Sequence, residues 1–170
     1  MITCNLDKED LFTNSSEAMS LQKKSFFGER IDDRVKYSFV EGLFLFEKGK
    51  IEIFSKGKKL GVQEVREKFK RFDKKFSLKY ALYKDLRKKG YIVKTGLKFG
   101  ADFRVYEKGK NPENSHAKWL AFVEHETSKN SWQDFSAKNR VAHSTKKKLL
   151  LAVVDEQEDV LYYEIGWIKP

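Results

Sequence analysis

Few side chains in this sequence are equipped for chemistry. A single cysteine, Cys4, excludes an internal disulfide framework and any cysteine-rich zinc site. A two-metal centre needs converging carboxylates, and the acids here are scattered among lysines. Asp73-Lys74-Lys75 is a D-x-K triplet of the kind restriction-type nucleases place on a strand. It falls at an expected joint between domains, and a lysine-rich chain generates such triplets by chance. Gly90, Gly96 and Gly100 have neither the spacing nor the strand-to-helix context of a phosphate-binding loop. Three histidines remain. His125 reads as an ordinary polar residue. His143 falls on a predicted helix with Arg140, Ser144 and Lys147 at i, i+3, i+4 and i+7, which puts all four on one face; on its own it reads as a surface histidine. His116 follows the turn-rich Asn111-Pro112-Glu113-Asn114-Ser115, after a strand that ends in Tyr106. Loops at strand ends often carry catalytic groups.

The chain around these residues has 170 amino acids, with 35 Lys plus Arg against 25 Asp plus Glu, a net charge of +10. That length builds one compact domain or two small ones. Hydrophobic residues at 40% and aromatics at 14% exclude a disordered chain. No stretch approaches the roughly 18 to 20 consecutive apolar residues of a membrane span, so no membrane partner is expected. The N-terminus has no basic segment followed by an apolar run, which argues against secretion and for a cytoplasmic protein. The surplus charge is concentrated. Residues 84–110 net +6 and residues 138–148 net +5, while the other 132 residues net −1. If the two segments meet in space they form a basic patch able to hold a polyanion. Taken alone, each is more simply a solvated lysine-rich face.

The elements that must position these groups follow from periodicity. Ser38 to Lys50 predicts a buried helix closing at Gly49, and Ile51–Phe54 a short strand. Val62, Val65, Phe69, Phe72 and Phe76 have amphipathic-helix spacing, and Ser77 is placed to cap a further helix from Leu78 to Lys89. After Gly90 the period changes. Tyr91–Thr95, Asp102–Tyr106 and Trp119–Val123 read as strands, and Leu149–Val154 as a central strand buried on both faces. Ser131 to Lys147 has helical character, and acidic 155–159 reads as a turn into the strand Val160–Ile165. The fold class is α/β (α+β): a small N-terminal mixed α/β domain over residues 1–75, then a C-terminal mixed sheet with helices over residues 76–170.

Two blocks then carry a resemblance. Residues 85–106, DLRKKGYIVKTGLKFGADFRVY, resemble the core signature of tRNA-splicing (tRNA-intron) endonucleases of archaeal type. Residues 140–149, RVAHSTKKKL, continuing to Asp155, are similar to the family's second signature, and the ending Tyr162-Tyr163 through Trp167-Ile168-Lys169-Pro170 also fits. SFVEGLFLFEKGKIEIF is similar, less specifically, to the family's N-terminal domain. The resemblance implies a restriction-endonuclease-like catalytic domain flanked by helices, and a Tyr-His-Lys triad. The implied triad is Tyr106, His116 and Lys147. Lys147 is preferred over Lys146 and Lys148 because the family commonly has Arg-Lys where this chain has Lys146-Lys147.

The resemblance further implies metal-independent RNA cleavage without a cofactor, by attack of a 2′-OH on its own phosphorus. Tyr106 would act as base, His116 as acid and Lys147 as stabiliser of the charged phosphorus. Tyrosine has a reference pKa near ~10, and nearby cations favour its phenolate. Arg140 and Trp167 are the implied grips on a bulged base. The implied partner is precursor tRNA with a bulge-helix-bulge, and the implied assembly a homotetramer or a heterotetramer with a structural paralogue. Val160 to Ile168 is the candidate pairing strand, and Glu124 and Glu126 are candidates for an acidic docking loop. A non-catalytic RNA-binding subunit of the same complex is the alternative, and a metal-dependent DNA nuclease of related fold is the other rival.

Overall fold

A computed structural model describes residues 1–170 as two compact units, Met1–Ser77 and Leu78–Pro170. The mixed α/β class expected above is what forms.

The first unit begins with two strands, β1 (Ile2–Asp7) and β2 (Asp10–Thr13). Ile2, Cys4 and Leu6 alternate inward along β1 while Thr3, Asn5 and Asp7 face solvent, the period of a strand covered on one side. Helix α1 (Ser16–Ser25) is capped by the Ser15 side chain. Strands β3 (Glu29–Ile31) and β4 (Arg34–Tyr37) lead into α2 (Phe39–Glu47), then β5 (Ile51–Ser55), β6 (Lys58–Lys59) and α3 (Val62–Phe72). The sheet order is β3-β4-β2-β1-β5-β6, with β1 and β5 parallel and every other pair antiparallel. Helix α2 is apolar on nearly every side because it lies inside this unit. Its Gly42 lets the Leu11 side chain approach so closely that any Cβ there would sit 2.3 Å from Leu Cδ2.

Two expectations fail here. The helix predicted from Val62 through Phe76 ends at Phe72, and the next helix starts at Phe76 rather than after a Ser77 cap. Asp73 stops the first helix: its side chain accepts from the Lys75 N–H (2.9 Å) and its carbonyl from the Phe76 N–H (3.0 Å). Phe76 keeps helical spacing only because it packs edge-on against Phe69, with ring centroids 5.4 Å apart. The D-x-K triplet is therefore a turn, not a strand.

Helix α4 (Phe76–Lys88) begins in the last two residues of the first unit, and from Leu78 on the second unit comprises the rest of α4, β7 (Ile92–Thr95), a 3-10 turn at Leu97–Phe99, β8 (Phe103–Tyr106), β9 (Trp119–His125), α5 (Trp132–Ser144), β10 (Lys148–Val154) and β11 (Val160–Ile165). Sheet order is β11-β10-β9-β8-β7; β9 and β10 are parallel and the rest antiparallel. The parallel pair needs a crossover, which α5 supplies. Strand alternation gives the sheet two covered faces. One packs against α5 through Leu120, Phe122, Leu149 and Ala142, with Phe99 and Phe135 beside them. The other carries Phe103, whose ring lies 6.0 Å from that of Tyr83 on α4, and Val105, Trp119, Leu150 and Tyr162, which line a cleft of about 310 Å³. Coverage on both sides is why the Leu149–Val154 run is continuously apolar.

Candidate functional site

Strand register decides what the sequence could not: which distant residues share an end of the sheet. Val105 pairs with Trp119, and Trp119 pairs with Lys148. The next row outward is Tyr106, Lys118 and Lys147, held by Lys118 N–H to Val105 O (3.0 Å) and Lys148 N–H to Lys118 O (2.9 Å). Tyr106 and Lys147 are thus two strand spacings apart at the backbone, roughly 10 Å. His116 comes two residues before Lys118, on the loop that joins β8 to β9. All three implied catalytic residues lie at one end of the sheet. Tyr106 is buried, 3% exposed. His116 is exposed and Lys147 half-buried.

Lys147 is not on the helix, so its expected shared face with Arg140, His143 and Ser144 does not exist. Helix α5 ends at Ser144. Lys146 then adopts a left-handed conformation (φ 57°), with Lys146 N–H bonded to His143 O (3.0 Å) and Lys147 N–H to Ala142 O (2.8 Å). That is the Schellman closure of a helix, made here without glycine. It turns Lys147 back toward the α5 face, where its Nζ lies 5.0 Å from the Phe99 ring centroid and 3.2 Å from Thr145 O. Lys148 faces the opposite side and pairs with Glu164 at 2.8 Å, and Lys146 is exposed. Burial, and then the nearby Arg104 charge, hold the Lys147 ammonium below the ordinary lysine range.

The other two histidines part company. His125 lies at the far end of the sheet, paired in register with Val154; its Nδ1 contacts Thr127 Oγ1 at 2.8 Å and its Nε2 lies 3.8 Å from Glu156. His143 meets Trp167. Their rings lie 4.3 Å apart at 72°, which seats the half-exposed indole on α5 one turn from exposed Arg140. The sequence pointed to Arg140 and Trp167 but not to the histidine between them. Glu124, a candidate for the acidic docking loop, is held by Lys138 of α5 at 3.0 Å. Cys4 is fully buried, which pushes its thiol up to about 12 and leaves it inert at neutral pH.

Arg104 is the residue that sequence reasoning passed over. It lies two before Tyr106, hence on the same face of β8, and its Nε donates to Thr95 O at 2.8 Å. The alternation that finds it is present in Phe103-Arg104-Val105-Tyr106.

Comparison with known proteins agrees with this architecture. Residues 5–66 match the tRNA intron endonuclease N-terminal domain, and residues 76–162 the tRNA intron endonuclease catalytic C-terminal domain. The chain is 40% identical over 169 residues to the tRNA-splicing endonuclease of Thermococcus onnurineus, covering 99% of this chain and 97% of that one. It is 39% identical over 170 residues to that of Thermococcus kodakarensis, with 99% of each covered. It is 41% identical over 152 residues to that of Nanoarchaeum equitans, covering 85% of this chain and 97% of the relative. The resemblance first carried by residues 85–106 and 140–155 is borne out. The chain belongs to the tRNA intron endonuclease family and is an enzyme with both of that family's domains, the N-terminal one and the catalytic C-terminal one.

Proposed function

We propose that this chain is the catalytic subunit of a tRNA-splicing endonuclease, cleaving precursor tRNA at a bulge-helix-bulge without a metal. The observation that carries the reading is the register row that brings Tyr106, Lys147 and the His116 loop to one end of the C-terminal sheet. In the reaction Tyr106 takes the 2′-OH proton, the 2′ oxygen attacks the adjacent phosphorus, and the bond from phosphorus to the 5′ oxygen breaks. His116 gives a proton to that leaving oxygen, and Lys147 neutralises the added charge on phosphorus. The products are a 2′,3′-cyclic phosphate and a 5′-hydroxyl. Arg140 and Trp167 hold a splayed base, the usual means of reading unpaired RNA.

The deciding experiment presents a bulge-helix-bulge RNA in EDTA, beside the same RNA with a 2′-deoxy residue at the scissile position. Cleavage of the first to cyclic phosphate, with the second left intact, is the expected result. Cleavage of the deoxy substrate would overturn 2′-OH attack. RNA binding with no cleavage of either would make the chain a structural subunit.

Assembly belongs to the same reading. Strand β11 is an edge strand, and its Leu161 and Tyr163 are exposed, as is Ile168 beyond it. An exposed apolar edge invites pairing, and a second subunit is its proposed occupant, within a homotetramer or a heterotetramer with a paralogue. Native mass spectrometry of the purified chain should show multiples of 20.0 kDa. A monomer at micromolar concentration would refute the homotetramer, and a monomer that adding a paralogue leaves unchanged would refute both.

A further inference from the structure

Two cations without an anion between them occupy the α5 face beside Tyr106. Arg104 shares its strand face, and Arg104 Nε is tied to the Thr95 carbonyl (2.8 Å), leaving both terminal guanidinium nitrogens without a bond inside the chain. Lys147 Nζ rests over Phe99, four residues after Thr95. Both cations are therefore anchored on the same short segment, the end of β7 and the 3-10 turn that follows it. Apart from burial, the charge acting on Lys147 is that of Arg104, and it works against the ammonium. Like charges held together at a half-buried place are unfavourable until an anion arrives, and a guanidinium fork with its terminal nitrogens free matches phosphate oxygens.

We propose that Arg104 is a further catalytic residue, a second cation that contacts the non-bridging oxygens of the scissile phosphate opposite Lys147. The inference rests on the RNA-cleavage reading above and adds to it a second cation that shares with Lys147 the offsetting of the charge gained on the non-bridging oxygens. Pinning through Nε aims the fork without consuming it, so the cradle is formed before substrate binds. Charge stabilisation supplied this way needs no rearrangement at the moment of reaction.

The test is Arg104→Ala in the full chain, assayed by single turnover on bulge-helix-bulge RNA at saturating protein. The rate should fall by about 10²-fold, the usual order for loss of one pre-aimed donor, while the dissociation constant for uncleavable 2′-deoxy RNA changes by only a few-fold. Added guanidinium ion at low, non-denaturing concentration should restore part of the rate to Arg104→Ala and none to Lys147→Ala. A merely structural role for Arg104 would not respond to a free cation. Arg104→Lys, which keeps charge but loses the fork and the Thr95 anchor, should fall between the two. An Arg104→Ala rate within about threefold of wild type, or a loss that guanidinium does not restore, overturns the assignment. A wild-type chain that leaves the 2′-hydroxyl RNA intact overturns the cleavage reading and this one with it. A wild type that cleaves beside an unimpaired Arg104→Ala overturns this one alone.

Discussion

Tyr106→Phe, His116→Ala and Lys147→Ala should each lower the single-turnover rate on bulge-helix-bulge RNA by about 10²- to 10⁴-fold, the usual worth of a positioned base, acid or charge stabiliser. RNA affinity should hardly move, because in the proposed reaction each group acts at the phosphate being cut and the proposed grip on the substrate is Arg140 and Trp167. Tyr106→Phe is the most demanding of the three. It removes one oxygen from a side chain only 3% exposed, so a loss of rate cannot be put down to lost packing. Lys147 adds a pH signature. Its ammonium is held below the ordinary lysine range, by burial first and Arg104 second, and only the protonated form can neutralise phosphorus. Stabilisation is therefore present at low pH and disappears as pH rises through a value below the reference of about 10.4. Lys147→Arg should shift that alkaline fall upward. Arg140→Ala and Trp167→Ala should behave in the opposite way, weakening binding by about 1–3 kcal/mol per lost stacking partner and sparing the rate at saturation. Unimpaired cleavage in all three triad variants would sink the mechanism, and equal loss of binding in all three would recast them as structural.

How much of this was legible beforehand depended on whether the information was local. Helix α2 was readable because Ser38, the apolar run and Gly49 are adjacent in sequence, although its regular part is shorter than the predicted span, Phe39–Glu47 within 38–50. The strands at residues 92–95, 103–106, 119–125 and 149–154 showed through alternation or apolar runs. Residues 1–37 gave little, since β1 to β4 are short and their inward residues, such as Cys4 and Val35, become meaningful only once paired. Helix ends were the weak point. The Val62–Phe76 spacing spans a turn because a T-shaped contact between Phe69 and Phe76 mimics helical periodicity. The α5 end misled because lysine at a left-handed closing position leaves no glycine to mark it. The site itself was legible only by resemblance. Tyr106, Lys118 and Lys147 become neighbours through a register row set by hydrogen bonds between strands far apart in sequence, and no spacing along the chain encodes that row. Arg104 was the exception, since its period of two with Tyr106 was visible without any partner strand.

The largest stability effect should come from Glu41, which belongs to the N-terminal unit and has no part in the proposed reaction. Its carboxylate is buried, 6% exposed. Oε1 accepts from the Gly28 N–H at 2.9 Å, while Oε2 accepts from the Ser38 N–H at 3.0 Å and the Ser38 hydroxyl at 2.9 Å. One side chain thus closes the capping box of α2 and fixes a loop thirteen residues earlier. That loop has no slack. Gly28 has φ +75°, and a Cβ there would lie 2.6 Å from Val35 Cγ1 and 2.9 Å from Lys36 O. Hydrogen bonds to a charged group contribute about 1.5–3 kcal/mol each, and a buried donor left unpaired adds its desolvation cost. Glu41→Ala should therefore destabilise the N-terminal unit by about 3–5 kcal/mol, a large share of the roughly 5–15 kcal/mol that holds a typical domain. For a unit of this size the unfolding midpoint should drop by roughly 15 °C or more, measurable by calorimetry. Glu41→Gln discriminates between shape and charge. It keeps the volume but presents an amide donor to the Gly28 or Ser38 donors, so one contact becomes repulsive and most of the loss should remain. A Glu41→Gln midpoint within a few degrees of wild type would show that packing, and not the carboxylate, holds α2 to the Gly28 loop.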